Sequence, residues 1–263
     1  KRVDKKIFRE KNVSIDESII NSYFEYIKPK IGVESIFRLL SPLLNIFFSI
    51  PHSKIYKSKI NDYVFNNNIN KLSGSEAFKH HDICIGCTQY IDDLYQTYGY
   101  DNIMTLENDY KYHWRLNNDI KFYNINNLEK GKHLLIAMPF PYTGDIHYDM
   151  NELLDICHEK NIPVHIDSAW ITASKDIEFD YNHPAIQSFA ISLSKGLALG
   201  SHRIGLRWTR EKMHGPISIM NEFNMNCKSL VWIGLKYMEN FDPGFLWKKY
   251  EKHYNKIIKD FDL

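Results

Sequence analysis

The sequence predicts an α/β fold with three layers, αβα, in which the central layer is a mostly parallel sheet. From about residue 82, short β-rich runs alternate with amphipathic segments, the pattern of strands joined by crossover helices. Predicted strands cover 83–86, 103–106, 120–123, 134–138, 164–166, 188–191 and 204–208, and predicted helices include 90–98 and 151–160. Because ligands of such sheets bind at the carboxyl ends of the strands, functional residues are expected there.

The chain is predicted to have three parts. Residues 1–60 form a helical N-terminal segment with helices over 18–26 and 33–48, and Pro29 and Pro51 act as helix breakers. Residues 61–240 form the large α/β domain. Further helices are predicted over 220–237 and 245–261, and residues 241–263 form the third part, a C-terminal helix.

Charge and hydropathy exclude some classes of partner. The chain has 33 basic and 32 acidic residues, well mixed, which gives no electrostatic reason to expect nucleic acid or an anionic membrane. The most apolar stretch, 36–50, is interrupted by Arg38, Pro42 and Asn45 and is too short to span a bilayer of about 30 Å. No secretory signal is visible, and the few, scattered cysteines make a reducing cytoplasm the expected location.

Four cysteines are too few and too scattered for a disulfide scaffold. Cys84 and Cys87 form a CxxC, which is compatible with a redox pair or with half of a zinc site. No second CxxC and no His-x-x-x-His accompanies it. We therefore interpret the pair as small residues at a strand end and expect no metal.

The segment 192–203 carries the strongest chemical signal. Lys195 stands among small and apolar residues and is expected to be poorly solvated, which would make its amine a nucleophile suited to Schiff-base chemistry. The hydroxyls of Ser192 and Ser194 together with the guanidinium of Arg203 suit a phosphate dianion near that amine.

Ser-x-Ser-Lys, a glycine-rich interval and the His-Arg-Ile-Gly-Leu that follows closely resemble the cofactor-lysine segment of pyridoxal-phosphate (PLP) enzymes of fold type I, in particular the class I/II aminotransferases. The resemblance implies that Lys195 bonds to PLP and that Ser192 and Arg203 hold its phosphate. It also implies a homodimer. In the family, a helix such as the one predicted over 241–263 leads into a small C-terminal domain, and this sequence is expected to lack that domain.

The stretch 164–170 reads as a buried strand that ends in an acid, Asp167. On its own, this aspartate would be a helix cap or a loop residue. In the family, the matching carboxylate pairs with the pyridine nitrogen of PLP and maintains its charge. Trp170 stands where the family usually has a tyrosine that contacts the phenolic oxygen of PLP, and an indole can only donate.

Three further features precede Asp167 in the order that the family has. Gly-Cys-Thr-Gln after a predicted strand, at a helix start, resembles a phosphate cradle and assigns Cys87 and Thr88 to cofactor binding. Tyr110 matches the aromatic residue that stacks on the pyridine ring, although Tyr112 is an alternative. Pro141 replaces the asparagine that contacts the cofactor oxygen.

We therefore predict a PLP-dependent enzyme that transfers an amino group between an amino acid and a 2-oxo acid, with Lys195 and Asp167 as catalytic residues. A second hypothesis keeps PLP but changes the reaction to decarboxylation, elimination or cyclisation, which the altered Pro141 and Trp170 favour. A third hypothesis is a non-catalytic domain of the same fold.

Overall fold

The computed structural model describes residues 52–196, 199–200, 202–223 and 225–262, together with 22, 25–26, 28–30 and 33. The chain divides into two units, Lys1–His52 and Ser53–Leu263. In the first unit, Lys28–Lys30 form a 3-10 turn. The helices predicted over 18–26 and 33–48 lie almost entirely outside the described residues.

The second unit is built on a mostly parallel sheet. Its strands are β1 (Lys71–Ser73), β2 (His80–Cys84), β3 (Ile103–Leu106), β4 (Phe122–Tyr123), β5 (His133–Ala137), β6 (Val164–Ser168), β7 (Glu178–Asp180), β8 (Ile186–Ser192) and β9 (Gly205–Thr209). In the described part of the chain, seven strands follow the order β2-β9-β8-β6-β5-β3-β4, and β1 pairs with β7 separately. Strand β9 is antiparallel to both its neighbours, and the other pairs in the sheet are parallel.

The helices are α1 (His52–Phe65), α2 (Gly86–Tyr98), α3 (Tyr112–Leu116), α4 (Met150–Glu159), α5 (Pro216–Glu222), α6 (Lys228–Asn240) and α7 (Phe245–Phe261). Helix α2 covers one face of the sheet, where Tyr90 and Leu94 pack in a cluster with Ala190 of β8. Helix α1 covers the other face, because Tyr56 and Ile60 belong to the core cluster around Phe189.

The predicted α/β class and the parallel sheet are confirmed. The central strands are apolar runs, because β6 and most of β8 are buried under helices on both faces. The register places Ala137, Asp167 and Ala190 side by side on β5, β6 and β8. The carboxyl ends of these three strands therefore meet at one edge of the sheet.

Some predicted boundaries are wrong. The strand predicted over 83–86 ends at Cys84, because Gly86 has φ 71° and begins α2. The helix predicted over 220–237 is interrupted between α5 and α6, where Cys227 has an extended backbone with φ −69° and ψ 97°. The helix predicted over 245–261 coincides with α7.

Among the described residues, we find no helix whose length and hydropathy would let it cross a membrane.

Candidate active site

A cavity of about 200 Å³ opens at the carboxyl ends of β5, β6 and β8. All eight residues predicted for the site line it: Cys87, Thr88, Tyr110, Asp167, Trp170, Ser192, Lys195 and Arg203. Pro141, the residue predicted to replace an asparagine, also lines the cavity. The structure thus brings together residues that lie more than a hundred positions apart in the chain.

Asp167 lies at the floor of the cavity with only 5% of its surface exposed. Its Oδ1 accepts a hydrogen bond of 3.0 Å from the backbone N–H of Ala169. Burial raises the pKa of Asp167 to about 6, against the lowering effects of the Cys87 thiol, the Ala169 N–H and the charges of Lys195 and Arg203. The carboxyl group can therefore change its charge near neutral pH.

The thiol of Cys87 belongs to this floor. It donates to the carbonyl oxygen of Ala190 at 3.3 Å, and it is a hydrogen-bonding neighbour of Asp167. Burial raises its pKa well above the ordinary value, so the sulfur stays protonated. Cys87 and Thr88 are adjacent in sequence, but the Cys87 side chain faces Asp167 while the Thr88 side chain faces Arg203.

Hydroxyl groups and a guanidinium form a second part of the site at the start of α2. Arg203 Nη2 donates to Thr88 Oγ1 at 2.5 Å. Ser192 Oγ donates to Ser194 Oγ at 2.8 Å and accepts from the Ser194 N–H at 3.1 Å. Gly86 completes the group, because a Cβ at this position would lie 3.1 Å from Ser192 Oγ and 3.5 Å from Arg203 Nη2. Several donors and one permanent positive charge suit a phosphate dianion.

Lys195 lies in the turn that follows β8. The expectation of a poorly solvated lysine is wrong, because this turn leaves the side chain exposed on the open side of the cavity. Its Nζ lies 4.4 Å from the centroid of the Trp170 ring. Trp170 is 50% exposed, so the indole borders the cavity without closing over the amine.

Tyr110 and Tyr112 differ in their relation to the cavity. Tyr110 lines it, whereas the hydroxyl of Tyr112 donates to Asp92 on α2 at 2.8 Å. The two rings stack with their centroids 5.8 Å apart and their planes at 19°. Of the two alternatives, Tyr110 is the one that can present its ring to a bound molecule.

Sequence reasoning missed Asp109. This carboxyl group is 3% exposed and accepts from the N–H of Tyr110 at 2.6 Å and from the N–H of Ala137 at 3.1 Å. It therefore joins the Tyr110 loop to β5. Burial raises its pKa to about 7, although both N–H groups favour the charged form, and the charge of Asp167 raises it further. Nothing in the sequence around Asp109 indicates this burial.

Ser194, the second serine of the Ser-x-Ser-Lys motif, contacts Ser192 through its hydrogen bonds and, among the described residues, not Thr88 or Arg203. Cys84 and Cys87 are both buried free thiols. In the described part of the chain, no group of three or more His, Cys, Asp or Glu side chains is arranged to hold a metal ion.

No family model and no curated protein matches this sequence. Solved structures do resemble its fold. The histidinol-phosphate aminotransferase of Clostridium acetobutylicum has a TM-score of 0.52 and 14% identity, and the similarity covers 92% of this chain and 73% of that chain. A Thermus thermophilus aspartate aminotransferase mutant in complex with tryptophan has a TM-score of 0.56 and 13% identity, with 81% and 61% covered.

A PLP-bound protein from Clostridium difficile 630 has a TM-score of 0.55 and 15% identity, with 81% of this chain and 65% of that chain covered. The chain thus spans 61% to 73% of the lengths of these three proteins. Together with the sheet order, these similarities show that the chain has the fold of the PLP-dependent enzymes of fold type I.

Proposed function

We propose that this protein is a PLP-dependent enzyme that transfers an amino group between an amino acid and a 2-oxo acid. The observation that carries the proposal is the convergence of a lysine amine, a buried carboxyl group and a hydroxyl–guanidinium cluster on one cavity. These groups come from different strand ends, so their convergence is a property of the fold and not of one local motif.

The chemistry of the donor set fits PLP. The phosphate matches Thr88, Ser192 and Arg203, next to the space that a Cβ at Gly86 would fill. The ring nitrogen matches Asp167. This carboxyl group is buried, and among the described residues it forms no ion pair with an arginine or a lysine. The aldehyde matches the amine of Lys195.

When bound, PLP accepts the amino group of an amino acid and delocalises the electron pair left behind when the proton leaves the substrate α-carbon. Asp167 would hold a negative charge beside the ring nitrogen, because a neighbouring cation favours the carboxylate over the neutral acid. Arg203, Thr88 and Ser192 would fix the phosphate end. Lys195 Nζ would first hold the cofactor and then, once released, accept and return the α-carbon proton.

Another PLP-dependent reaction on an amino acid is the second candidate function. Pro141 has no side-chain donor, and Trp170 offers only an indole N–H. The cavity thus differs from an ordinary aminotransferase at the two positions predicted to contact the phenolic oxygen. Decarboxylation, elimination or cyclisation would suit such a change. Homodimerisation and a cytoplasmic location remain predictions.

The first experiment is reductive trapping. The purified protein is mixed with PLP and treated with borohydride, and the modified peptide is identified by mass spectrometry. We expect modification at Lys195 and a visible absorption band, both lost in Lys195→Ala. Lys249→Ala is the matched control, because Lys249 also lies over an aromatic ring, with its Nζ 5.3 Å from the Tyr250 centroid, but on helix α7. Trapping that survives Lys195→Ala would overturn the assignment.

The second experiment separates the two candidate reactions. The protein with PLP is incubated with a panel of amino acids and one 2-oxo acid. Formation of a new amino acid from the 2-oxo acid supports amino-group transfer. Release of carbon dioxide or ammonia without such transfer would favour the second candidate.

A further inference from the structure

A short turn next to the cavity carries a side chain that bonds to the segment around Lys195. After Trp170, residues Ile171–Ala173 form a 3-10 turn. The hydroxyl of Thr172 donates to the carbonyl oxygen of Ser192 at 2.9 Å and accepts from the N–H of Gly196 at 3.2 Å. One side chain therefore bonds to the backbone on both sides of Lys195.

The two segments also touch through their backbones. A Cβ at Gly196 would lie 2.1 Å from the carbonyl oxygen of Thr172 and 2.5 Å from its carbonyl carbon, far closer than atoms can approach. Any side chain at position 196 would push the lysine turn away from Thr172. Gly196 thus permits the contact that the Thr172 hydroxyl then fixes.

The 3-10 turn is itself held in place. Ile171 is 1% exposed and packs in the main core cluster. Asn70 is 6% exposed, and its Nδ2 donates to the carbonyl oxygens of Ile171 at 3.2 Å and Ser174 at 3.1 Å. The Asn70 Oδ1 accepts from the N–H of Ile177 at 3.0 Å. The backbone around Thr172 is therefore fixed by the core and by Asn70, so the Thr172 hydroxyl can order the lysine turn.

The same turn begins next to the residue that faces the amine. Trp170 directly precedes it, and the Lys195 Nζ lies 4.4 Å from the Trp170 ring centroid. The backbone of Lys195 is thus fixed by Thr172, while its exposed side chain lies against Trp170. An exposed lysine on a turn without other contacts would sample many orientations. That conformational entropy would be lost when the amine forms a covalent bond.

We propose that Thr172 is a positioning residue for Lys195, whose hydroxyl orders the turn from which the amine reaches the aldehyde of PLP. This inference rests on the proposed function. It assigns to Thr172 the covalent part of cofactor binding and leaves the phosphate and ring contacts to other side chains, because the Thr172 hydroxyl bonds to the backbone of Ser192 and Gly196 and not to the Ser192 hydroxyl.

The test compares two ligands. PLP can bond to the amine, whereas deoxypyridoxine phosphate has a methyl group in place of the aldehyde and binds only through its ring and phosphate. Dissociation constants of both are measured for the wild type, Thr172→Val and Thr172→Ser. We expect Thr172→Val to weaken PLP binding by about tenfold with little change for the analogue, because hydrogen bonds that order the turn are lost. Thr172→Ser should restore the wild-type ratio.

Thr209→Val is the matched control. Thr209 is 1% exposed, and its hydroxyl has no hydrogen-bond partner among the described residues, so the same substitution should leave both ligands unaffected. Thr172→Ala replaces Thr172→Val if the valine variant does not fold, as judged by circular dichroism.

A ratio of the two dissociation constants that is the same in Thr172→Val and in the wild type would overturn the inference, whether both ligands bind as before or both bind equally more weakly. Failure of the proposed function has a different signature, because the wild type would then bind neither PLP nor the analogue.

Discussion

Arg203 and Arg207 are near neighbours in sequence, yet their surroundings differ in kind. Arg207 lies within β9 and is fully buried. It donates to Asp82 Oδ2 and Asp93 Oδ2, both at 2.5 Å, and to Ser218 Oγ at 2.7 Å. Its charge is compensated by two carboxyl groups inside the protein.

Arg203 precedes β9, is half-buried and lines the cavity. Its Nη2 donates to the hydroxyl of Thr88, and its charge also helps to lower the pKa of Asp167. Within the described ranges, Arg203 forms no ion pair. A cation paired with carboxylates serves the fold, whereas a cation among hydroxyl groups remains available to an anionic ligand. The comparison therefore separates the structural arginine from the one that we propose binds phosphate.

The largest expected effect is on stability. Arg207→Met leaves Asp82 and Asp93 without their cation and should lower the free energy of unfolding by about 3–5 kcal/mol. Urea denaturation measures this loss. Arg203→Met is the control and should change stability by less than about 1 kcal/mol. Equal losses in the two variants would remove the distinction between the arginines.

The second prediction concerns Asp167, the buried carboxyl group at the floor of the cavity. The pKa of Asp167 is raised to about 6. A raised folded-state pKa means that this group contributes stability below its unfolded pKa of about 3.9, and that the contribution is lost as the pH rises through about 6. Without PLP, Asp167→Asn should therefore gain stability relative to the wild type by about 1.4 kcal/mol between pH ~5 and pH ~8.

Thermal or urea denaturation of both proteins at the two pH values measures this gain. If the difference between wild type and variant were the same at both, burial would not be raising the pKa of Asp167. Added PLP should reduce the gain at the higher pH, because the ring nitrogen would then pair with the carboxylate.

The smallest expected effect concerns the glycine beside Arg203. Gly86 has φ 71°, and a Cβ there would lie 3.5 Å from Arg203 Nη2. Gly144 has φ 73°, with no atom within 4 Å of such a Cβ in the described structure. Alanine at either position should cost about 1 kcal/mol of stability through backbone strain. Only Gly86→Ala should also weaken PLP binding, and an equal effect of both variants on PLP would contradict the proposed phosphate site.

The sequence allowed correct prediction of those parts of the structure that burial and strand order determine. Runs such as Val164–Ser168 are apolar because both faces of the sheet are covered, so their pattern predicts buried parallel strands. Parallel strands end at one edge, and this is why Asp167 and Ser192, at the ends of β6 and β8, could be expected to lie near each other.

The missed features depend on contacts between distant segments. The burial of Asp109 requires β5, and the role proposed for Thr172 requires the lysine turn. The solvation of Lys195 was mispredicted because apolar neighbours in sequence do not fix the direction in which a turn presents a side chain. The break before α6 arises from the extended backbone of Cys227, a residue that is not a strong helix breaker.

The most direct test of the central claim measures how much of the cofactor affinity comes from Arg203 and the phosphate. Dissociation constants of PLP and of pyridoxal, which lacks the phosphate, are compared for the wild type and Arg203→Met. We expect PLP to bind Arg203→Met about 10- to 150-fold more weakly, the equivalent of a charge-assisted contact of about 1.5–3 kcal/mol, with pyridoxal unchanged. An equal loss for both ligands, or no loss for PLP, would contradict the assignment of this cavity as a PLP site.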